Sequence, residues 1–140
     1  MNHSPSMAHP GSSFAPVLFV DDVAAARNFY EQGLSAGTLR TFLNDTGGLH
    51  VAEMAVQGAI FHLHEEMPHG REKTPFSLRG TCVELGLFVA DPDTLLDQAV
   101  AAGARVLSPI RDYAYGLRQG TLEDPFGHHW TFQRWITINA

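Results

Sequence analysis

"LFVDD", Leu18 to Asp22, returns as "LFVAD", Leu87 to Asp91, 69 positions further on. Five residues are a weak match alone, so the deciding question is whether the same displacement superposes anything distant from them. It does: "GAIFHL", Gly58 to Leu63, falls on "GHHWTF", Gly127 to Phe132, with Gly on Gly, Phe61 on Trp130 and Leu63 on Phe132. One displacement that holds at both ends of a segment marks an internal duplication.

The order of elements repeats as well. A short strand (about Ala15 to Val20, and Val83 to Val89) runs through an aspartate suited to capping a helix into an Ala-rich helical stretch. Val23, Ala26, Phe29, Tyr30 and Leu34 form an apolar stripe at helical spacing, interrupted by Arg27; Leu95, Leu96, Ala99, Val100 and Ala102 form the second, closed by Gly103. Three strand-like runs follow each helix: about Thr38 to Leu43, Leu49 to Val56 and Ala59 to Leu63, then Ala104 to Ile110, Leu117 to Leu122 and His129 to Thr137. The expected fold is therefore α+β, two tandem βαβββ modules forming a curved mixed sheet around a cavity. Module one covers about residues 14–64 and module two about 81–137, in a single domain over 14–140. Between them, residues 65–80 are polar and punctuated by Pro68, Gly70, Pro75 and Gly80, a connector or a lid.

Strand alternation assigns the faces. Val83, Leu85, Leu87 and Val89 suit a face beneath a helix, with Glu84, Gly86 and Phe88 opposite; Trp130 and Phe132 oppose His129, Thr131 and Gln133; Phe61 and Leu63 oppose Ile60, His62 and His64. The neighbouring His128 and His129 point to opposite sides and cannot chelate one ion together. His128 belongs to the Asp-Pro-Phe-Gly turn, and His129 begins the cavity face.

Composition narrows the classes of function. At 44% hydrophobic and 17% charged residues, the 140-residue chain is ordinary for a globular domain. A net charge of -6 leaves no basic footprint for nucleic acid. Cys82 is the only cysteine, which excludes an intrachain disulfide and a thiolate cluster and fits a cytoplasmic location. No apolar run reaches the roughly 20 residues that span a bilayer, so no membrane partner is expected. Residues 1–13, rich in Ser, His, Pro and Gly, read as a disordered tail. No P-loop, dinucleotide fingerprint or nucleophile elbow occurs.

The stretches "LFVDDVAAARNFY" (Leu18 to Tyr30), "LFVADPDTLLDQAVAAGARV" (Leu87 to Val106) and "YGLRQGTLEDPFGHHWTF" (Tyr115 to Phe132) resemble the vicinal oxygen chelate superfamily of glyoxalases, bleomycin-resistance proteins and extradiol dioxygenases. The last stretch is similar to the phosphonate-operon-B-like branch. The resemblance implies four metal-ligand positions, from the first and fourth strands of each module, which here hold Ala15, His62, Glu84 and Thr131. Only His62 and Glu84 are good donors, whereas catalytic zinc usually takes three protein ligands and harder ions need more oxygen. A divalent metal (Zn, Mn, Ni or Fe) would need His64, His50 or Glu53 to complete its shell, so no metal is obligatory. The resemblance also implies a homodimer.

Other residues extend the candidate site. Glu84 stands on an otherwise apolar strand, and with His62 it forms either a general acid/base couple or a structural pair. Arg118 is either an anion anchor or a surface residue. Phe88, Tyr113 and Tyr115 offer flat apolar contact, while His64, His129 and Thr131 add polar groups facing the cavity. Two functions follow: a small-molecule binding protein acting by sequestration or as an accessory, or a lyase, isomerase or dioxygenase using His62 and Glu84 as catalytic groups.

Overall fold

The computed structural model describes residues 11–137. Residues 1–10 of the expected tail, and 138–140 of the expected domain, lie outside the described residues. The first module runs β1 (Val17–Val20), α1 (Val23–Leu34), β2 (Gly37–Leu43), β3 (Leu49–Val56) and β4 (Ala59–Glu65); after α2 (Pro75–Leu78), the second runs β5 (Glu84–Phe88), α3 (Pro92–Ala101), β6 (Arg105–Tyr113), β7 (Leu117–Glu123) and β8 (His129–Trp135).

The fold is α+β, with two four-stranded mixed sheets of order β1-β4-β3-β2 and β5-β8-β7-β6. In each, the first strand pairs parallel with the last, and the others pair antiparallel. The duplication extends to backbone register. Leu18 lies beside Leu63 in one sheet, and Leu87 lies beside Phe132 in the other, the same displacement of 69 on both strands. The middle hairpin breaks the symmetry. Met54 pairs with Phe61, but Leu122 pairs with Trp130, so the second hairpin carries one more residue.

Both long helices start and stop where their side chains dictate. Asp22 accepts the Ala25 N–H at 3.0 Å and Asp91 the Thr94 N–H at 3.1 Å, each satisfying a donor that the helix cannot. α1 ends at Ser35 in the left-handed region (φ 53°), while the turn after α3 falls to Gly103 (φ 122°), where a side chain would strain the backbone. Arg27, which interrupts the first apolar stripe, leans along α1 to Glu31 at 3.4 Å.

The helix-side faces of the two sheets share one core. Phe61 of β4 and Trp130 of β8 stand edge to face with centroids 5.5 Å apart, and Tyr30 of α1 packs on both, at 5.2 and 5.6 Å. Val20, Leu34, Leu63, Leu122 and Phe132 complete it with almost no exposure. Burying such a side chain contributes about 1.5–3 kcal/mol, so a core built by both modules couples their stability.

The connector is more ordered than its composition suggests. Thr74 caps α2, and the Glu66 carboxylate accepts the Thr74 N–H at 2.6 Å and the Ser77 hydroxyl at 3.0 Å. Glu66 is itself anchored, its N–H donating to the Val20 carbonyl at 3.0 Å.

Candidate functional site

The outer faces of β5 and β8 carry the polar and aromatic groups that alternation assigns to them. Because these strands run parallel with Glu84 beside His129, Gly86 beside Thr131 and Phe88 beside Gln133, Glu84, Gly86 and Phe88 form one row and His129, Thr131, Gln133 and Trp135 the adjoining one. The Thr131 hydroxyl donates to the Glu84 carboxylate and lies 2.8 Å from the Thr121 hydroxyl, so the carboxylate is oriented by a chain of two threonines. At Gly86 an added Cβ would come within 2.9 Å of the Gln133 amide nitrogen, which lies over the bare backbone there. Beyond it, the Phe88 and Trp135 rings stack with centroids 5.2 Å apart and planes 23° from parallel, although Phe88 is 49% and Trp135 70% exposed.

A cleft of about 480 Å³ opens beside β5, with Phe14, Ala15, Ile60 and Phe61 on the first module's side and Leu87 and Trp130 on the second's. Glu84 also lines it and is the sole ionisable residue among the described residues that does so. A smaller hollow of about 290 Å³ adjoins it through Pro16 and Leu85 and reaches Lys73, Cys82 and His128. The mouth of the larger one is apolar, with one oriented carboxylate, the usual make-up of a small-molecule site.

The four positions marked by the family resemblance are distributed as follows. Ala15 and Glu84 line the cleft, and Thr131 holds Glu84. His62 stands on the outer face of β4 beside Glu53 of β3, a carboxylate gripped by Arg40 through two bonds of 2.6 and 2.8 Å. Those bonds hold the Glu53 carboxyl below the usual carboxylate range, against the opposing effect of its burial, and His62 adds a smaller pull in the same direction. Glu53 is thus the register partner of His62, while Glu84 takes its hydrogen bond from Thr131. This donor set does not fit the family's metal: alanine has no ligand atom, the Thr131 hydroxyl is committed, and no three His, Cys, Asp or Glu side chains converge as a ligand set among the described residues.

The remaining candidates are placed individually. His64 directs Nδ1 at the Glu65 carbonyl (2.7 Å) and packs between Phe19 and His50, while His50 Nδ1 meets the Glu65 carboxylate at 2.7 Å. His129 contacts Glu123 at 3.0 Å, and its neighbour His128 contacts the Phe19 carbonyl at 2.9 Å, the divergence that a strand start requires. Tyr115 stacks on Tyr113 at 5.1 Å. The Arg118 guanidinium binds Asp93 of α3 through two bonds of 2.9 and 2.7 Å, and Asp112 at 2.9 Å.

Three groups were not singled out from the sequence. Trp135 forms half of the exposed ring stack, and its place on the strand alternation could have found it. The sequence offers Glu53 only as a substitute ligand, not as Arg40's partner. Asp124 belongs to the turn by its sequence, yet its buried carboxylate accepts the Tyr30 hydroxyl, the Trp130 Nε1–H (3.0 Å) and the N–H groups of Phe126 (2.9 Å) and His128 (3.0 Å).

The Glyoxalase/Bleomycin resistance protein/Dioxygenase superfamily pattern matches residues 9–132, and the chain belongs to that superfamily. An uncharacterised protein of Mycobacterium bovis is 37% identical over 122 residues, covering 85% of this chain and 80% of its own; one of Mycobacterium tuberculosis H37Rv has the same identity and covers 72% of its own. Among solved structures, TioX from Micromonospora sp. ML1 superposes with a TM-score of 0.70 at 25% identity, covering 89% of this chain and all of TioX. A glyoxalase-related enzyme from Fulvimarina pelagi shares the fold with a TM-score of 0.67 at 22% identity, covering 88% of each chain. No helix among the described residues is long and apolar enough to cross a membrane.

Proposed function

We propose that this chain is a small-molecule binding protein of the superfamily, acting by sequestration or as an accessory, with its ligand seated in the cleft beside β5. The carrying observation is the fate of the four ligand positions. Two have lost their donors, and one of those, Thr131, has turned its hydroxyl to orienting Glu84. A carboxylate presented at an apolar cleft is a recognition group, and it needs no metal to serve as one. On this reading the protein belongs to the phosphonate-operon-B-like branch, by its Tyr115-Gly116-x-Arg118 and Asp124-to-Trp130 stretches, and works as a cytoplasmic homodimer.

The test is equilibrium dialysis against Zn, Mn, Ni and Fe(II), followed by elemental analysis, beside a thermal-shift screen of small organic compounds. The expected result is substoichiometric metal and at least one stabilising compound, with the stabilisation unchanged by chelator. Stoichiometric metal that is lost in His62→Ala would overturn the proposal in favour of a metalloenzyme.

A further inference from the structure

We infer that the outer face of β5 and β8 is a binding strip for an elongated ligand, with a cationic nitrogen at one end and a flat aromatic ring at the other. The inference deepens the proposed function and rests on it.

Three pairs lie in order along the two strands. Glu84 with Thr131 offers negative charge, Gly86 with Gln133 offers a floor without a protruding β-carbon and an amide, and Phe88 with Trp135 offers an aromatic surface. Alternate residues share a face, and a strand rises about 3.3 Å per residue, so Glu84 and Phe88 are separated by about 13 Å. The strip begins at the cleft, because Glu84 and Gly86 both line it.

Each end selects a ligand group. One oxygen of Glu84 accepts from Thr131, so the carboxylate is pre-aimed, and a protonated amine is the partner a lone carboxylate at an apolar mouth favours. Arg134, one residue from the row, lies on the other face and acts on Asp91 and Asp93. His129, the register partner of Glu84, is turned to Glu123 at 3.0 Å, so among the described residues Glu84 forms no ion pair. At the far end, two large rings are held parallel while about half or more of each faces water. Covering such a surface with a third ring removes apolar area from water and adds stacking, worth about as much again as an ordinary aromatic pair.

The probe set is dansylcadaverine, which joins a flat naphthalene to a primary amine through a flexible chain, its N-pentyl dansylamide analogue, which lacks the amine, and 1,5-diaminopentane, which lacks the ring. Binding is followed by energy transfer from tryptophan and by calorimetry. Trp135 is exposed and Trp130 is 3% exposed, so quenching of the red-shifted component reports the strip. Dansylcadaverine is expected to bind at least tenfold more tightly than either analogue. Glu84→Gln should erase its advantage over the pentyl analogue, and Trp135→Ala or Phe88→Ala should erase its advantage over the diamine, with unfolding midpoints unchanged.

If both dansyl compounds bind equally and Glu84→Gln changes neither, the strip is wrong while ligand binding in the cleft survives. If Trp135→Ala alters the sedimentation coefficient and not the affinity, the ring stack is a subunit contact and the inference fails. If no probe binds and the compound screen is also empty, both readings fall.

Discussion

Tyr30 of α1 donates its phenolic hydrogen to the carboxylate of Asp124 in the turn before β8, a bond that joins the helix of one module to the hairpin of the other. Asp124 also takes the Trp130 indole N–H and two backbone N–H groups, so four donors converge on one buried carboxyl. Removing the Tyr30 hydroxyl deletes one charge-assisted bond and leaves three, at a cost of about 1.5–3 kcal/mol. Removing the carboxyl strands several buried donors. Urea unfolding should therefore show Asp124→Ala losing more than about 4 kcal/mol, well beyond Tyr30→Phe. Equal losses would mean that the other three donors find alternative partners.

The same bond sets an alkaline limit. Burial first, and then the Asp124 charge and hydrogen bond, push the Tyr30 hydroxyl well above its ordinary value of 10.0. A group whose folded pKa is raised contributes stability that is complete below the unfolded pKa and is lost as pH climbs through the folded one. Stability should fall above about pH 10, where the unfolded tyrosine ionises. In Tyr30→Phe this part of the alkaline decline should be absent, which unfolding free energies at pH 9 and 11 will read.

The parts of this architecture that were legible in the sequence are those that repeat. Leu18 and Leu63 foretell their partners Leu87 and Phe132 because a duplicated module keeps its register on the first and last strands. Alternation likewise assigns Glu84, Phe88 and Thr131 to one face. It cannot say who meets whom across elements. Tyr30 and Asp124 are 94 positions apart, and the bond falls beside the hairpin where the repeat slips by one residue, so displacement by 69 points to no counterpart. The family resemblance alone pairs His62 with Glu84, and alternation gives no hint that the register of β3 on β4 also puts Glu53 beside His62. The order of the connector was hidden for a similar reason: it depends on Glu66, a charge that reads as a solvated side chain until α2 folds back on it.

Gly127 joins that connector to the hairpin. Its φ of +87° lies in the left-handed region, and an added Cβ would stand 2.7 Å from the Cβ of Pro75 at the start of α2. Both the backbone and the neighbour resist a side chain, so Gly127→Ala is expected to cost about 2 kcal/mol or more. Gly58, its counterpart in the first module, has the same φ of +87° but open space around it. Gly58→Ala should cost about 1 kcal/mol, from backbone strain alone. Thermal midpoints of the two variants, compared side by side, isolate the contact with Pro75.

Glu84 should behave as a site residue and not as part of the scaffold. It is exposed, and among the described residues its carboxylate takes one hydrogen bond, from Thr131, whose hydroxyl can turn fully to Thr121 when the carboxylate is altered. Glu84→Gln is expected to change unfolding free energy by less than about 0.5 kcal/mol, the range of surface substitutions. A loss of several kcal/mol would make it a structural strut joining the modules and would remove it from the candidate site.

Arg40 and Glu53 present the opposite case. The Glu53 side chain is 10% exposed and its partner guanidinium reaches it from a largely open position, so the pair costs one desolvation and regains it through two short bonds. Truncating the arginine leaves a nearly buried carboxylate without its guanidinium partner. Arg40→Ala should destabilise the fold at pH 7, by less than breaking a fully buried pair would, because solvent screens the exposed half. Since Arg40 is what holds the Glu53 carboxyl low, the pair's contribution is present above the ordinary carboxylate pKa and is lost as pH falls through the depressed one. The gap between wild type and Arg40→Ala should therefore narrow between about pH 5 and pH 3. The double variant Arg40→Met with Glu53→Leu should recover most of the loss at neutral pH, because it removes the stranded charge along with its partner. A gap that stayed constant across that pH range would show that Arg40 stabilises the sheet by packing its alkyl chain over β2 and β3, and not through the carboxylate.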